Sequence, residues 1–260
     1  MSIPAGPVRV PAQVLRLARE LGAPGEPEPH LTPVWRNGLG GLTFRVTTGK
    51  QLATGNGPRV HFLKHGPLDP ETSMAQEAKR LAWAAPHTPV PRVVSHGKDT
   101  THEWLITEAL DGLSAVDPRW LAAPETAARA VGQGLRALHD ALPTENCPFD
   151  WSVHARLTNA AQRGIDVPPA LRDAPPIDRL VVCHGDACVP NTLLDDAGHP
   201  SGHVDLGALG LGDFWADLAV ASMSTEWNYG PGYEATLIEA YGVEPDREQL
   251  AYYRALWNAT

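Results

Sequence analysis

Short apolar runs separated by glycine or polar turns fill the first hundred residues of the chain. The pattern predicts a strand, a glycine turn and a second strand across Val34–Val46, followed by strands at Val60–Lys64, Val90–His96 and Glu103–Glu108. Between these strands, Thr72–Ala85 repeats apolar residues at helical spacing. The N-terminal part is therefore predicted to be a small sheet with one inserted helix.

The remainder of the chain has mainly the helical period. Two short apolar strands, Val181–Cys183 and Thr192–Leu194, flank a polar loop in its middle. A strand-rich part followed by a helical part predicts an α+β fold with two lobes, which we place at residues 1–108 and 109–260. The predicted helices are Pro124–Ala141, Ser152–Gln162, Asp213–Thr225, Gly232–Tyr241 and Asp246–Trp257.

Charge is distributed unevenly along the chain. The formal net charge is −9, and residues 181–260 alone contain twelve acidic residues and two arginines. This balance argues against a nucleic-acid partner and favours a polycationic one, although a solvated acidic surface explains the same counts.

Composition gives no sign of a membrane or secreted protein. The sequence has no long apolar run and no secretory signal, and it has three cysteines without a CxxC pair. We therefore expect reduced thiols, a cytoplasmic location, no membrane contact and a monomer.

The polar loop carries the most specific chemical pattern. Asp186 and Asn191 stand five residues apart, which is the spacing of a kinase catalytic loop, and Asp205 follows fourteen residues after Asn191. Phosphoryl transfer from ATP needs a carboxylate to orient the acceptor hydroxyl and hard oxygen ligands for Mg²⁺. The pattern predicts Asp186 as the catalytic base, with Asn191 and Asp205 as the magnesium ligands.

A phosphate-binding pair is predicted in the first lobe. Lys64 ends an apolar strand and Glu77 lies thirteen residues later, as in a kinase-like lobe where the glutamate holds the lysine on the nucleotide phosphates. Gly40 and Gly41 form a turn whose amides are predicted to approach phosphate oxygens, or they form an ordinary hairpin turn.

The strand that ends at the lobe junction is predicted to bind adenine. Glu108 would contribute its carbonyl group and Ala109 its amide group to the base. An ordinary strand end is the alternative interpretation of these two residues.

In several segments the chain resembles the aminoglycoside O-phosphotransferases. The resemblance rests on Val182–Asn191, Gly202–Gly207 and Gly212–Ala219, and more weakly on Cys147–Asp150 and Leu250–Arg254. It implies a protein-kinase-like fold, the cofactors ATP and Mg²⁺, and the roles of Lys64, Glu77, Asp186, Asn191 and Asp205 given above. It also implies that Asp213 and Asp217 brace the catalytic loop, and that the substrate is a cationic aminoglycoside.

The choice of acceptor depends on departures from the family pattern. Kanamycin-type 3′ enzymes generally have arginine where this chain has Ala208, and they usually end in an acidic-aromatic tail. We therefore expect the 3″-hydroxyl of streptomycin as the acceptor, with Glu226 and Asn228 contacting the drug unless they are ordinary helix-end residues. The alternatives are a 3′-phosphotransferase, a macrolide or choline-like kinase, and a degenerate kinase fold that only binds.

Overall fold

Two compact units make up the computed structural model, which describes residue 4 and residues 6–49, 57–69 and 73–260. The first unit comprises the residues up to Ala82 together with Pro91–Ala109, and the second comprises Trp83–Val90 and Leu110–Thr260. The three cysteines are free thiols, as predicted. In the described ranges, no helix has the length and apolar character needed to cross a membrane.

The first unit is built on a five-stranded antiparallel sheet with strand order β1-β2-β3-β5-β4. Residues alternate between its two faces, so Leu63 is buried against the helix Ala12–Glu20 while the next residue, Lys64, points to the opposite face. The strands are β1 (His30–Arg36), β2 (Leu42–Thr48), β3 (Arg59–Pro67), β4 (Val93–Lys98) and β5 (His102–Glu108).

Two helices accompany this sheet, α1 (Ala12–Glu20) and α2 (Met74–Ala84). Helix α1 buries Val14 and Leu17 against the sheet. The inserted helix was predicted from Thr72, which lies outside the described residues. Its first turn contains Glu77, which brings this acid to the lysine on β3.

The second unit is mainly helical, and the predicted helix Pro124–Ala141 is confirmed with the same limits. Proline in its first turn and a stripe of apolar residues four apart explain its start and its buried face. It packs closely on the helix Glu234–Tyr241. At their contact only glycine fits, since a Cβ atom on Gly132 would lie 2.2 Å from the Leu237 carbonyl oxygen. The helices are α3 (Pro118–Leu121), α4 (Pro124–Ala141), α5 (Val153–Gln162), α6 (Phe214–Tyr229), α7 (Glu234–Tyr241) and α8 (Arg247–Ala259).

Two very small sheets position the polar loop of the second unit. Strands β7 (Leu180–Cys183) and β10 (Gly210–Asp213) form one antiparallel pair. The other sheet has the order β6-β8-β9, with β6 at Leu113–Ser114, β8 at Thr192–Leu194 and β9 at Pro200–His203. The sequence predicted β7 and β8 because each is largely a run of apolar residues, whereas β6, β9 and β10 contain glycine, proline or polar residues and have no such run.

Candidate active site

The loop that carries Asp186 leaves the buried strand β7 and ends in a 3₁₀ turn at Val189–Asn191. Gly185 has a φ of 83°, and a Cβ atom there would lie 2.2 Å from the Ala208 carbonyl oxygen. Only glycine fits this position, so the glycine of the His-Gly-Asp motif is required for steric reasons. The tight turn brings the backbone carbonyl of Asp186 to the side chain of Asn191, the residue directly before β8.

Asp186 is half-buried and has one unsatisfied acceptor. Its Oδ1 atom is buried and has no hydrogen-bond partner within the described part of the chain. Its backbone carbonyl accepts a hydrogen bond from Nδ2 of Asn191 at 2.9 Å. Because the amide nitrogen of Asn191 is used in this way, Oδ1 is the atom that Asn191 can offer to a cation.

The β8–β9 hairpin brings Asn191 and Asp205 to the same end. Thr192 pairs with His203 in the antiparallel ladder, and the Val204 amide donates to the Asn191 carbonyl at 2.9 Å. Asp205 follows directly and has a φ of 63°, which among the described residues is the only positive value outside glycine. Such strained backbone is often retained at functional sites. Residues fourteen apart in sequence therefore become neighbours, as predicted.

His184 links the loop to the strand before Asp205, a role that the sequence analysis missed. Its Nδ1 atom accepts the Asp186 amide at 3.3 Å, and its Nε2 atom lies 3.0 Å from the Val204 carbonyl. Since Nδ1 accepts, the ring proton is on Nε2 and is donated to Val204. The His-Gly-Asp motif was the available signal, although it does not reveal what the imidazole binds.

Asp217 of helix α6 holds the loop from the other side. Its Oδ2 and Oδ1 atoms accept the amides of His184 at 2.6 Å and Gly185 at 3.0 Å. Burial alone would raise the pKa of Asp217, but the hydrogen bond from His139 and the loop amides hold it below its ordinary value. This contact agrees with the bracing role that the resemblance implied for Asp217.

Asp213, the other acid implied in bracing, has a different immediate task. Its Oδ1 atom accepts the Trp215 amide at 3.1 Å and so caps helix α6, while Oδ2 accepts the Asp178 amide at 2.8 Å. The carbonyl group of Asp213 also accepts the thiol of Cys183 at 3.3 Å. Asp213 thus fixes the helix that presents Asp217 and does not itself bind the loop amides.

In the first unit, the predicted phosphate-binding pair is formed. Nζ of Lys64 lies 2.6 Å from Oε1 of Glu77, and their side chains are 24% and 10% exposed. This partly buried, charge-assisted contact fixes the direction of a long and otherwise flexible side chain. The lysine on β3 and the glutamate on α2 are therefore brought together as the sequence predicted.

The glycine turn is closed by its own hydrogen bonds. Oδ1 of Asn37 accepts the amides of Leu39 at 3.1 Å and Gly41 at 2.7 Å, and the Gly40 amide donates to the Asn37 carbonyl at 3.2 Å. These amides were predicted to approach phosphate oxygens. Since each has an internal acceptor, the structure favours the alternative, an ordinary hairpin turn closed by asparagine.

The structure bears differently on the two adenine contacts predicted at the end of β5. The Ala109 amide donates to the Val60 carbonyl at 3.1 Å, so the assigned donor already has an acceptor. The Glu108 carboxylate forms a two-point ion pair with Arg92, through Nε at 2.8 Å and Nη2 at 2.5 Å. The ion pair involves the side chain, whereas the predicted adenine contact of Glu108 involves its backbone carbonyl.

Helix α6 is longer than predicted and includes both proposed drug-contacting residues. Glu226 is exposed near its C-terminal end, next to Trp227, which is also exposed. Nδ2 of Asn228 donates to the carbonyl of Ser224 at 2.8 Å and to its hydroxyl at 3.1 Å. That hydroxyl also accepts the Val189 amide of the loop that contains Asp186 at 3.0 Å. Asn228 is thereby connected to this loop through Ser224.

The imidazole of His203, at the end of β9, is buried, and we expect it to make stability depend on pH. Burial lowers the pKa of His203 to about 3, whereas an unfolded histidine has a pKa near 6.5. The unfolded chain therefore binds the extra proton, and stability falls as the pH drops below about 6.5. At pH 5.5 we expect a loss of about 1.4 kcal/mol from this group, measured by urea unfolding without metal or nucleotide.

The matched variant is His203→Gln, which keeps a donor at the Nε2 position but cannot titrate. Its free energy of unfolding is expected to lose that part of the pH dependence, while exposed His154→Gln behaves like the wild type. Equal slopes for wild type and His203→Gln between pH 7.5 and 5.5 would contradict the assignment.

Comparison with known proteins agrees with this geometry. The model of the phosphotransferase enzyme family, called APH, matches residues 33–253. An aminoglycoside 3′-phosphotransferase of Streptomyces fradiae is 36% identical over 242 residues, covering 79% of this chain and 88% of that protein. A streptomycin 3″-kinase of Streptomyces griseus is 31% identical over 254 residues, covering 83% and 91%.

Solved structures show the same relationship. An aminoglycoside 3′-phosphotransferase of type VIII superposes with a TM-score of 0.72 at 31% identity, covering 90% of this chain and 94% of that one. The aminoglycoside phosphotransferase APH(3″)-Id of Streptomyces rimosus, in complex with ADP and streptomycin, gives 0.66 at 25% identity, covering 94% and 96%.

The fold and the His-Gly-Asp loop define a phosphotransferase of the kinase-like class, which confirms the predicted α+β architecture. Within that class, the chain belongs to the aminoglycoside phosphotransferase family of enzymes.

Proposed function

We propose that this chain transfers the γ-phosphoryl group of ATP to a hydroxyl group of a cationic aminoglycoside. The observation that carries the proposal is the loop of the second unit, in which a half-buried carboxylate has an unsatisfied oxygen at Asp186 within the described residues. Asn191 and Asp205 lie at the adjoining end of the β8–β9 hairpin. A binding module without catalysis would have no need to keep all three side chains.

The donor set fits magnesium. Asn191 offers an amide oxygen, because its nitrogen is bonded to the Asp186 carbonyl, and Asp205 offers a carboxylate. Hard oxygen ligands of this kind suit Mg²⁺ when it is also bound by phosphate oxygens. When bound there, the ion would neutralise part of the phosphate charge.

Asp186 acts as the base in this proposal. Its carboxylate accepts the proton of the acceptor hydroxyl and orients the hydroxyl oxygen in line with the γ-phosphorus. The new bond joins that oxygen to phosphorus, the bond to the bridging oxygen of ADP breaks, and the proton is left on Asp186. His184 and Asp217 hold the loop backbone in place during this step.

The first unit binds the nucleotide in this proposal. Lys64, held by Glu77, interacts with the α- and β-phosphates. The carbonyl group of Glu108 accepts a hydrogen bond from the amino group of adenine. We do not retain Gly40, Gly41 and Ala109 as amide donors to the nucleotide, since their amides have acceptors within the unit.

The acceptor is proposed to be the 3′-hydroxyl of a kanamycin- or neomycin-type drug. The sequence analysis preferred streptomycin, but the more similar relatives described above are 3′-phosphotransferases. The 3″-hydroxyl of streptomycin is kept as the second candidate, because the Streptomyces griseus relative is a streptomycin 3″-kinase. For either drug, the acidic second unit, including exposed Glu226, would attract the amino or guanidino groups.

The test is a panel assay with magnesium and ATP. ATP consumption is measured with kanamycin, neomycin, streptomycin, hygromycin and choline, and fragmentation mass spectrometry locates the added phosphate. We expect phosphorylated aminoglycoside with the group at the 3′ position. Phosphorylation of streptomycin alone would select the second candidate, and turnover of choline without any drug would overturn the aminoglycoside proposal.

A further inference from the structure

A chain of buried hydrogen bonds connects the catalytic loop to a distant arginine. From Asp217, Oδ2 lies 2.9 Å from Nε2 of His139, and Nδ1 of His139 lies 2.8 Å from the hydroxyl of Tyr241. The same hydroxyl accepts Nη2 of Arg179 at 2.6 Å. His139 and Tyr241 are buried, whereas the Arg179 side chain is 38% exposed. We call these four residues the relay.

The donors and acceptors of the relay fix its direction. Arginine can only donate, so the Tyr241 oxygen accepts from Arg179 and its own proton is free to go to Nδ1 of His139. With a neutral imidazole, the ring proton is then on Nε2 and is donated to Asp217. Asp217 is the final acceptor of this chain, and it also accepts hydrogen bonds from the backbone amides of His184 and Gly185.

The packing around Tyr241 leaves the hydroxyl little freedom. Its ring stacks on Phe214 at 5.5 Å with an interplanar angle of 3°, and it meets His139 edge-on at 5.6 Å. Arg179 also lies over the ring of Phe214. The direction of a hydroxyl held in this way is set by its hydrogen-bond partners. We therefore expect loss of the arginine donor to change the hydrogen bond between Tyr241 and His139.

We propose that Arg179 is a positioning residue for the catalytic loop, acting through Tyr241 and His139 to keep the Asp217 carboxylate on both loop amides. The effect on turnover rests on the proposed function, because it is exerted on the loop that contains Asp186. Contiguous polar networks of this kind couple positions that are far apart in the structure.

Arg136 provides a matched control. It is a partly exposed arginine of α4 that lies over the same Tyr241 ring at 5.9 Å and bonds Asp140 at 2.6 Å. Arg179 has the same ring distance of 5.9 Å and also bonds Asp140. Of the two, Arg179 alone donates to the Tyr241 hydroxyl within the described residues. Comparing Arg179→Met with Arg136→Met therefore separates the relay from general surface charge.

The experiment measures the full chain in two ways. Hydrogen exchange followed by mass spectrometry reports on the amides of the peptide that covers His184 and Gly185, without requiring any activity. Steady-state kinetics with ATP and the best aminoglycoside of the panel report on kcat and KM. Arg179→Lys keeps a donor and is the conservative variant, and Tyr241→Phe removes the central hydroxyl while retaining the ring.

For Arg179→Met and Tyr241→Phe we expect faster exchange in the loop peptide and a fall in kcat of about threefold to thirtyfold, with little change in KM. Arg179→Lys should recover most of kcat, and Arg136→Met should match the wild type in both readouts. Equal exchange in the Arg179→Met and Arg136→Met variants would overturn the relay, whatever the enzyme phosphorylates. A lower melting temperature of Arg179→Met with unchanged loop exchange and kcat would overturn it as well.

Discussion

Replacing Asp186 with asparagine is expected to lower kcat by about 10²-fold to 10⁴-fold, the range of a general-base contribution. Asparagine has nearly the same shape and can still accept one hydrogen bond, but it cannot take the proton of the attacking hydroxyl. The supports of the loop remain, because they involve the backbone at His184 and Gly185 and the side chain of Asn191. The measurement is the steady-state rate of phosphorylated drug, with ATP binding followed separately.

The matched control is Asp196→Asn. Asp196 is 97% exposed in the β8–β9 turn and pairs with Arg119 at 2.7 Å, so the same chemical change there should leave kcat unaltered. We expect Asp186→Asn to bind ATP about as tightly as the wild type. If Asp186→Asn kept most of its kcat, the carboxylate would have no role as the base.

The second large effect is expected on stability, for Asp217→Asn. The Asp217 carboxylate is fully buried and accepts from two loop amides and from His139. An asparagine in this place turns an NH₂ group towards at least one of these donors, which leaves buried polar groups without a partner. Leaving a buried donor without an acceptor in this way costs about 1–3 kcal/mol in the free energy of unfolding. Urea unfolding by circular dichroism measures it.

Asp246→Asn serves as the control for this change. Asp246 is exposed and caps helix α8 by accepting the amides of Glu248 and Gln249. Asparagine caps helices about as well as aspartate, so the free energy of unfolding should change by less than about 0.5 kcal/mol. A cost for Asp217→Asn as small as that of the control would show that the loop amides find another acceptor.

The sequence was sufficient wherever the signal is local. The limits of α4 were predicted from apolar residues at helical spacing on one face. The catalytic loop was predicted because the spacing from Asp186 to Asn191 is a property of a single turn. Asp205 was added from its place fourteen residues after Asn191, and the β8–β9 hairpin of the structure returns the chain to that end.

Predictions about individual amides were less successful, since the acceptor of an amide is decided by folding. The sequence assigned the amides of Gly41 and Ala109 to a nucleotide. In the folded chain, Gly41 donates to the side chain of Asn37, and Ala109 donates to Val60 on a strand that precedes it by nearly fifty residues. Neither partner is visible in the pattern of apolar and polar positions.

The sequence by itself therefore determined the class of chemistry and the order of the longer helices and strands, because short motifs and periodicities are local properties of the chain. Only the tertiary structure decided how the loop is held, through His139, Arg179, Asp217 and Tyr241. The ring of His139 and the hydroxyl of Tyr241 are 102 positions apart in sequence. Hydrogen bonds over such separations form when helices pack, and no local rule of spacing encodes them.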